Sequence, residues 1–201
     1  MKGMLRELQI QRWDDHRYYH HSRINQSLHF VSASSFLCAY VLVFFQPVLA
    51  TLLGWLVAMT ARQSGHFFFE PKGYDHVNQA THEHKEEIKV GYNLRRKILL
   101  YVAFAIAPLP LLLDPTYFGL FEEAEDVVHN VAMVWLALGA GGLVFRGVHL
   151  FFLRGVRTGL VWMLKILTDP FHDLKLYWKA PLALMRGELI DQSLALEVQQ
   201  R

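Results

Sequence analysis

Between Leu28 and Ala61 the chain carries no Asp, Glu, Lys or Arg. A run this long must be buried in a core or surrounded by lipid, and uncharged stretches of such length are rare in water-soluble domains. A membrane-crossing helix needs about 20 mostly apolar residues, so the run reads as two helices, interrupted once at Gln46-Pro47. Proline opens helices well and interrupts them badly, which makes this dipeptide the bend of a helical hairpin over 28–69. The second arm then continues through Arg62-Gln63-Ser64-Gly65 into His66-Phe67-Phe68-Phe69. Two further apolar runs follow, Ile98–Leu113, extended to Phe118 at the interface, and Val127–Phe145. The loop between them holds Asp114, Glu122, Glu123, Glu125 and Asp126.

None of the twenty Lys and Arg lies between Ile98 and Phe145. Basic residues instead precede the first apolar helix, join the second to the third, and follow the fourth. By the positive-inside rule this predicts four crossings with both termini cytoplasmic, in a bacterial inner membrane or the endoplasmic reticulum. The expected architecture is all-α: an integral membrane four-helix bundle with a cytoplasmic His-rich face and an interfacial C-terminal helix. As a single membrane domain over 1–201, it divides into a cytoplasmic N-terminal segment (1–27), the hairpin (28–69) and a cytoplasmic His-containing loop (70–97). The third and fourth spans (98–118 and 127–150) and an interfacial or cytoplasmic C-terminal segment (155–201) complete it. Within that last segment, Gly159–Leu167 and the Asp169-Pro170 break predict an amphipathic piece lying on the membrane. Gly139-Ala140-Gly141-Gly142 lets another helix approach closely.

Composition removes several classes. With 53% hydrophobic and 19% charged residues and a mean hydropathy of +0.18, the chain is not disordered. The single Cys38 excludes a disulfide framework and a thiolate-rich zinc site. A net charge of +2 gives no argument for nucleic acid as a partner.

Eleven histidines stand out, and the predicted topology puts all but His129 on the cytoplasmic side. His21, Asn25 and His29 share one helical face by their spacing of four. His66 and Glu70 form another such pair, preceded by Gln63, and His82 and His84 flank Glu83. Hairpin geometry brings the start of the first span beside the end of the second, so His29 and His66 become neighbours at one depth. Neutral imidazoles with carboxylates suit iron or zinc. This predicts metal ligands at His21, His29 and His66, with His82 and His84 added by the following loop and His149 in reserve. His20, Asn25, Gln63 and Glu70 support them catalytically or by orienting the rings. Arg62 and Arg23 are the candidates for pairing with an anionic substrate.

Tyr19-His20-His21, three residues, Asn25, three residues, His29 resembles the N-terminal motif of the Mpo-like 2-hydroxy fatty acid dioxygenases. Gln63-Ser64-Gly65-His66 with Phe69-Glu70-Pro71 is similar to a second segment of that family. The resemblance covers about residues 18–72; the chain has Ser22-Arg23 where the family commonly has Asn-Pro, and lacks its Pro-Ala pair. It implies a membrane enzyme of phytosphingosine degradation that uses Fe(II) and O2 to shorten a 2-hydroxy fatty acid by one carbon. It also implicates His20, His21, His29 and His66 in iron binding or catalysis. The expected partners are therefore a lipid or 2-hydroxy fatty acid, O2 and the membrane, with one or two iron ions as cofactor; homo-oligomerisation is left open. Competing readings are a di-iron lipid hydroxylase or desaturase, a non-catalytic haem- or metal-binding membrane protein, and a zinc-dependent membrane hydrolase.

Overall fold

The computed structural model describes residues 2–122 and 126–194, so the predicted acidic-loop residues Glu123 and Glu125 lie outside the described residues. Among the described residues the chain is helical and contains no strand. Helix α1 (Lys2–Tyr19) ends just before His20, and α2 (Arg23–Leu42) begins after a three-residue break. Ser22 caps α2, its side chain accepting from the amides of Ile24 and Asn25, which satisfies donors that the first helical turn leaves open. After residues 43–46 the chain reverses, and α3 (Pro47–Leu52) opens with Pro47 at its first turn. The bend therefore falls at Gln46-Pro47, as the sequence predicts.

The second arm is continuous but not uniform. A π-helical segment, Leu53–Met59, joins α3 to α4 (Thr60–Phe68). There the Thr60 hydroxyl donates to the Trp55 carbonyl at 3.2 Å. Wide turns of this kind are frequent at functional sites because they re-aim side chains, and this one holds Trp55 buried. The arm packs along α2, with a tight approach at Gly65. A Cβ built at Gly65 would overlap the Asn25 side-chain oxygen and touch the His29 ring. Only a residue without a side chain permits that approach.

Beyond the hairpin come α5 (His82–Ile88), α6 (Leu94–Ile106), α7 (Val127–Arg154), α8 (Val156–Tyr177) and α9 (Ala180–Met185). Helix α7 is the one described helix long and apolar enough to cross a membrane by length and composition, and only 22% of its most apolar stretch is buried. Phe145 and Phe152 on α7 are 68% and 85% exposed. The run 98–118 is not a single helix. Helix α6 gives way at Pro108 to a 3-10 turn over Leu109–Leu112, and the Tyr117 hydroxyl folds back to donate to the Ala107 carbonyl. Proline lacks the amide that would continue the ladder, so the expected extension through Tyr117 does not form.

Helix α8 also corrects an expectation, since it runs through Asp169-Pro170 without a break. The Tyr40 hydroxyl donates to the Leu167 carbonyl at 3.2 Å, inside the turn that Pro170 disturbs. Val161 and Trp162 are buried near the start of α8, but from about residue 164 onward its polarity is inverted relative to a helix on a water-soluble protein. Lys165, Asp169, Asp173 and Tyr177, at spacings of four, are buried, while Leu160, Leu164, Leu167 and Phe171 are exposed. The inward stripe packs against α1 and α2.

Two glycines separate tight from open packing. Gly65→Ala is expected to destabilise the protein by about 1–3 kcal/mol through overpacking. Gly139→Ala, where an added Cβ meets nothing within 4 Å, is expected to be neutral or stabilising by up to about 1 kcal/mol from helix propensity. Unfolding midpoints of the two purified variants check this, and equal losses would contradict the packing described.

Candidate metal centre

Three buried histidines, His20, His29 and His66, bring ring nitrogens within 4.8 Å of one another. Each comes from a different element: His20 from the break after α1, His29 from the second turn of α2, and His66 from the end of α4. The Nε2 atoms of His20 and His29 are 3.2 Å apart. Two nitrogens bonded to one ion at about 2.1 Å are separated by about 3.0 Å at right angles and about 3.4 Å at the tetrahedral angle, a range that includes this pair. The His66 ring centroid lies 5.0 Å from that of His29 and 5.5 Å from that of His20.

The remaining nitrogens explain why these rings present Nε2. His66 Nδ1 donates to Glu70 Oε2 at 2.8 Å, and His29 Nδ1 lies 3.4 Å from Asp173 Oδ2. A carboxylate on the far nitrogen fixes the tautomer and orientation of a ligating imidazole and raises its basicity. His20 Nδ1 is buried with no hydrogen-bond partner. Burial, reinforced by the neighbouring His29, holds the His20 imidazole well below its ordinary range, so it is neutral at physiological pH. Neutral rings are the form that binds metal. The Tyr177 ring packs against His20 at 5.5 Å between centroids and His29 at 6.1 Å, and its hydroxyl hydrogen-bonds to His16 Nδ1 at 3.1 Å.

The backbone around His20 is held by α2. Asn25 Nδ2 donates to the Tyr19 carbonyl at 2.9 Å and Gln26 Nε2 to the His20 carbonyl at 2.8 Å. Farther out, Glu70 also meets Lys89 at 3.3 Å, and Lys89 lies over the Tyr19 ring. Asp173 pairs with Arg62 at 3.1 Å. Lys165 bridges Asp15 and Asp169 at 2.5 and 2.6 Å. Burial of Lys165 works against its charge, but the two carboxylates outweigh it and raise the ammonium above the lysine range. Removing one member of such a buried set strands the others without a partner.

The structure corrects several site expectations. His20, not His21, joins His29 and His66. The spacing of four linking His21 to Asn25 and His29 assumed one helix, but the helix is broken at 20–22. His21 turns away, its Nε2 2.5 Å from the Arg17 carbonyl and 3.5 Å from Asp75. His82 and His84 do not reach the cluster: His84 is exposed, and Lys85 between them and Glu86 is the wholly buried residue of α5. The Tyr19 hydroxyl donates to the Lys85 carbonyl at 2.6 Å, so the loop does close over the site, with its backbone and lysines rather than its imidazoles. His149 is held by Arg146 at 3.1 Å. Arg23 is paired with Asp191 at 2.9 Å, so neither predicted arginine is free for a substrate.

Asn25, Gln63 and Glu70 do adjoin the centre: Asn25 holds the Tyr19 carbonyl, Glu70 bonds His66, and Gln63 lies one turn before His66 with its side-chain oxygen buried and unpartnered. Sequence reasoning missed Asp173 and Tyr177. The signal was the regular placement of Lys165, Asp169, Asp173 and Tyr177 along one face of an otherwise apolar helix.

A cavity of about 610 Å³ opens beside the cluster. Its polar end is lined by His20, Arg62, Gln63, His66, Lys89 and Lys97, and its apolar end by Phe36, Trp55, Phe104, Trp135, Gly139 and Leu143. Trp55 stacks on Tyr101 and Phe104 at 5.1 and 4.8 Å, and Trp135 Nε1 donates to the Phe104 carbonyl. Burial, and then the nearby Lys89 charge, push the Lys97 ammonium well below the ordinary lysine range. An amphipathic cavity of this size fits a small ligand with one polar and one apolar end.

No protein family, curated protein or solved structure matches the chain.

Metal analysis of purified protein separates the two sets of histidines. His20→Ala, His29→Ala and His66→Ala are each expected to lose bound metal, whereas His21→Ala, His82→Ala and His84→Ala keep it. Asp173→Asn and Glu70→Gln are expected to weaken metal affinity by about 10–100-fold, measured by competition with a chelator. Unchanged affinity in both carboxamide variants would show that these carboxylates do not orient the rings.

Proposed function

We propose that the chain is an integral membrane protein that holds one iron ion with His20, His29 and His66 and oxidises a fatty acyl substrate with O2. The substrate favoured is a 2-hydroxy fatty acid, shortened by one carbon. The observation that carries this reading is the opening of the three-imidazole cluster onto the polar end of an amphipathic cavity, with His20 and His66 in its wall. A donor set of imidazoles suits iron and leaves coordination positions open, and the bound ion would supply O2 activation and substrate orientation. Asp173 and Glu70 keep the proton on Nδ1 of His29 and His66, so that both Nε2 lone pairs face inward. The aromatic walls exclude water from the acyl chain.

Three features support a lipid setting. Helix α7 is apolar and mostly unburied, α8 turns its apolar stripe outward, and the basic segments fall on one side of the predicted spans. Four crossings with both termini cytoplasmic complete the proposal, with the metal centre at the cytoplasmic surface.

One such group of ligands among the described residues favours a single ion over a di-iron centre. Haem fits poorly, because ring centroids 4.2 to 5.5 Å apart leave no gap for a porphyrin between these histidines. A zinc hydrolase could use the same three imidazoles, and oxygen dependence separates it from the oxygenase.

Incubating the Fe(II)-loaded protein with 2-hydroxyhexadecanoate in air is expected to yield pentadecanoate, and none under argon. The His29→Ala variant is expected to form less than about 1% of it, in line with loss of the metal. No shortened acid from fully loaded wild type would remove the proposed reaction.

A further inference from the structure

Four cationic side chains line the cavity beside the metal centre: Arg62, Lys89, Lys97 and Lys165. Three of them face carboxylates of the protein. Arg62 meets Asp173, Lys89 meets Glu70 and Glu86, and Lys165 meets Asp15 and Asp169. The two acids in the lining are committed as well, Asp15 to Lys165 and Asp14 to Arg17. Among the described residues the Lys97 side chain makes no hydrogen bond and no ion pair within 4 Å, and the two carboxylates that act on it from farther off, Glu70 and Asp15, are paired with Lys89 and Lys165. A half-buried ammonium whose neighbouring carboxylates are already paired with other cations is poorly compensated, and its position in a cavity wall lets a ligand supply the counter-charge.

Lys97 sits in the first turn of α6, and Tyr101 and Phe104 follow it along the same helix. At 1.5 Å per residue, Phe104 lies about 10 Å farther along the axis. The wall thus passes from cation to aromatic within the length of a short acyl segment, and continues to Trp55 and Trp135. A volume of about 610 Å³ falls in the range of about 300–1,000 Å³ typical of small-ligand pockets. A single acyl chain with its head is a ligand of that class.

We propose that Lys97 is the specificity-determining anchor of this cavity, pairing with the carboxylate of a single-chain fatty acid whose tail lies against Trp55 and Trp135. The assignment rests on the cavity being the acyl site of the proposed enzyme, and it selects acids over alcohols and esters of equal chain length. Anchoring the head at Lys97 holds carbons next to the carboxylate at the His66 end of the cavity. Arg62 is excluded from this role by its bonds to Asp173 and Asp169.

The test uses the metal-free full-length protein in a neutral detergent, so that binding is read apart from turnover. Hexadecanoate brominated near its terminal carbon reports the tail by quenching tryptophan fluorescence, and hexadecan-1-ol with the same bromination serves as the uncharged probe. Lys97→Met is expected to weaken binding of the acid by about 10–100-fold and to change binding of the alcohol by less than about twofold. Lys97→Arg is expected to restore most of the acid affinity. Dihexadecanoyl phosphatidic acid is expected not to compete with the acid at equal concentration.

Acid affinity unchanged in Lys97→Met, equal losses for acid and alcohol, or effective competition by the two-chain lipid would each overturn the assignment. If acid binding depends on Lys97 while iron-loaded protein forms no shortened acid, the anchor stands and the reaction fails. If shortened acid forms while acid binding ignores Lys97, the reaction stands and the anchor fails.

Discussion

Two buried carboxylates govern what this chain can do. Glu70 and Asp173 each face the Nδ1 side of an imidazole, His66 and His29 respectively, and so direct the opposite nitrogens toward His20. Without those partners, the buried rings would be free to flip or to adopt the other tautomer, and a common binding point would be lost. The carboxylates are themselves held in place by Lys89 and Arg62. The histidine cluster is thus the inner end of a charge network that crosses from α1 to α8 beneath apolar outer surfaces.

That arrangement has a cost that only specific packing offsets. Buried ions lose hydration worth several kcal/mol each, so nearly every one in the interior is paired: Arg12 with Asp169, Lys165 with Asp15 and Asp169, Arg62 with Asp173. The close contact of α2 and α4 at Gly65 sets the distance between His29 and His66, and the side-chain amides of Asn25 and Gln26 fix the backbone that carries His20. Polar groups inside and apolar groups outside are the distribution suited to a lipid solvent. They also leave a cavity with one charged and one aromatic end.

Much of this was legible in the residues. The bend at Gln46-Pro47, the pairing of His66 with Glu70, and the meeting of His29 with His66 all follow from a hairpin and a helical spacing of four. The choice between His20 and His21 was not legible in that way, because a face count is valid only inside an unbroken helix. Ser22, a good helix cap directly after the pair, was the available sign of a break. His82 and His84 looked like ligands because a loop of unknown path can reach anywhere; its anchor is the buried Lys85, whose carbonyl holds Tyr19. Asp173 lies 144 residues from His29, and no local pattern joins two such positions. The inward stripe on α8 gave only its face, not its partner. Pro108 stopped α6 because a missing amide ends a helix more decisively than apolar residues beyond it prolong one.

The central claim is that one ion is shared by three imidazoles drawn from the α1–α2 break, α2 and α4. X-ray absorption at the metal edge of the loaded protein tests it most directly. The account predicts a single ion with three imidazole scatterers, nitrogen bonds of about 2.0–2.2 Å and no second metal nearby. A spectrum with no more than one imidazole, or with a metal neighbour at about 3.5–4 Å, would contradict it.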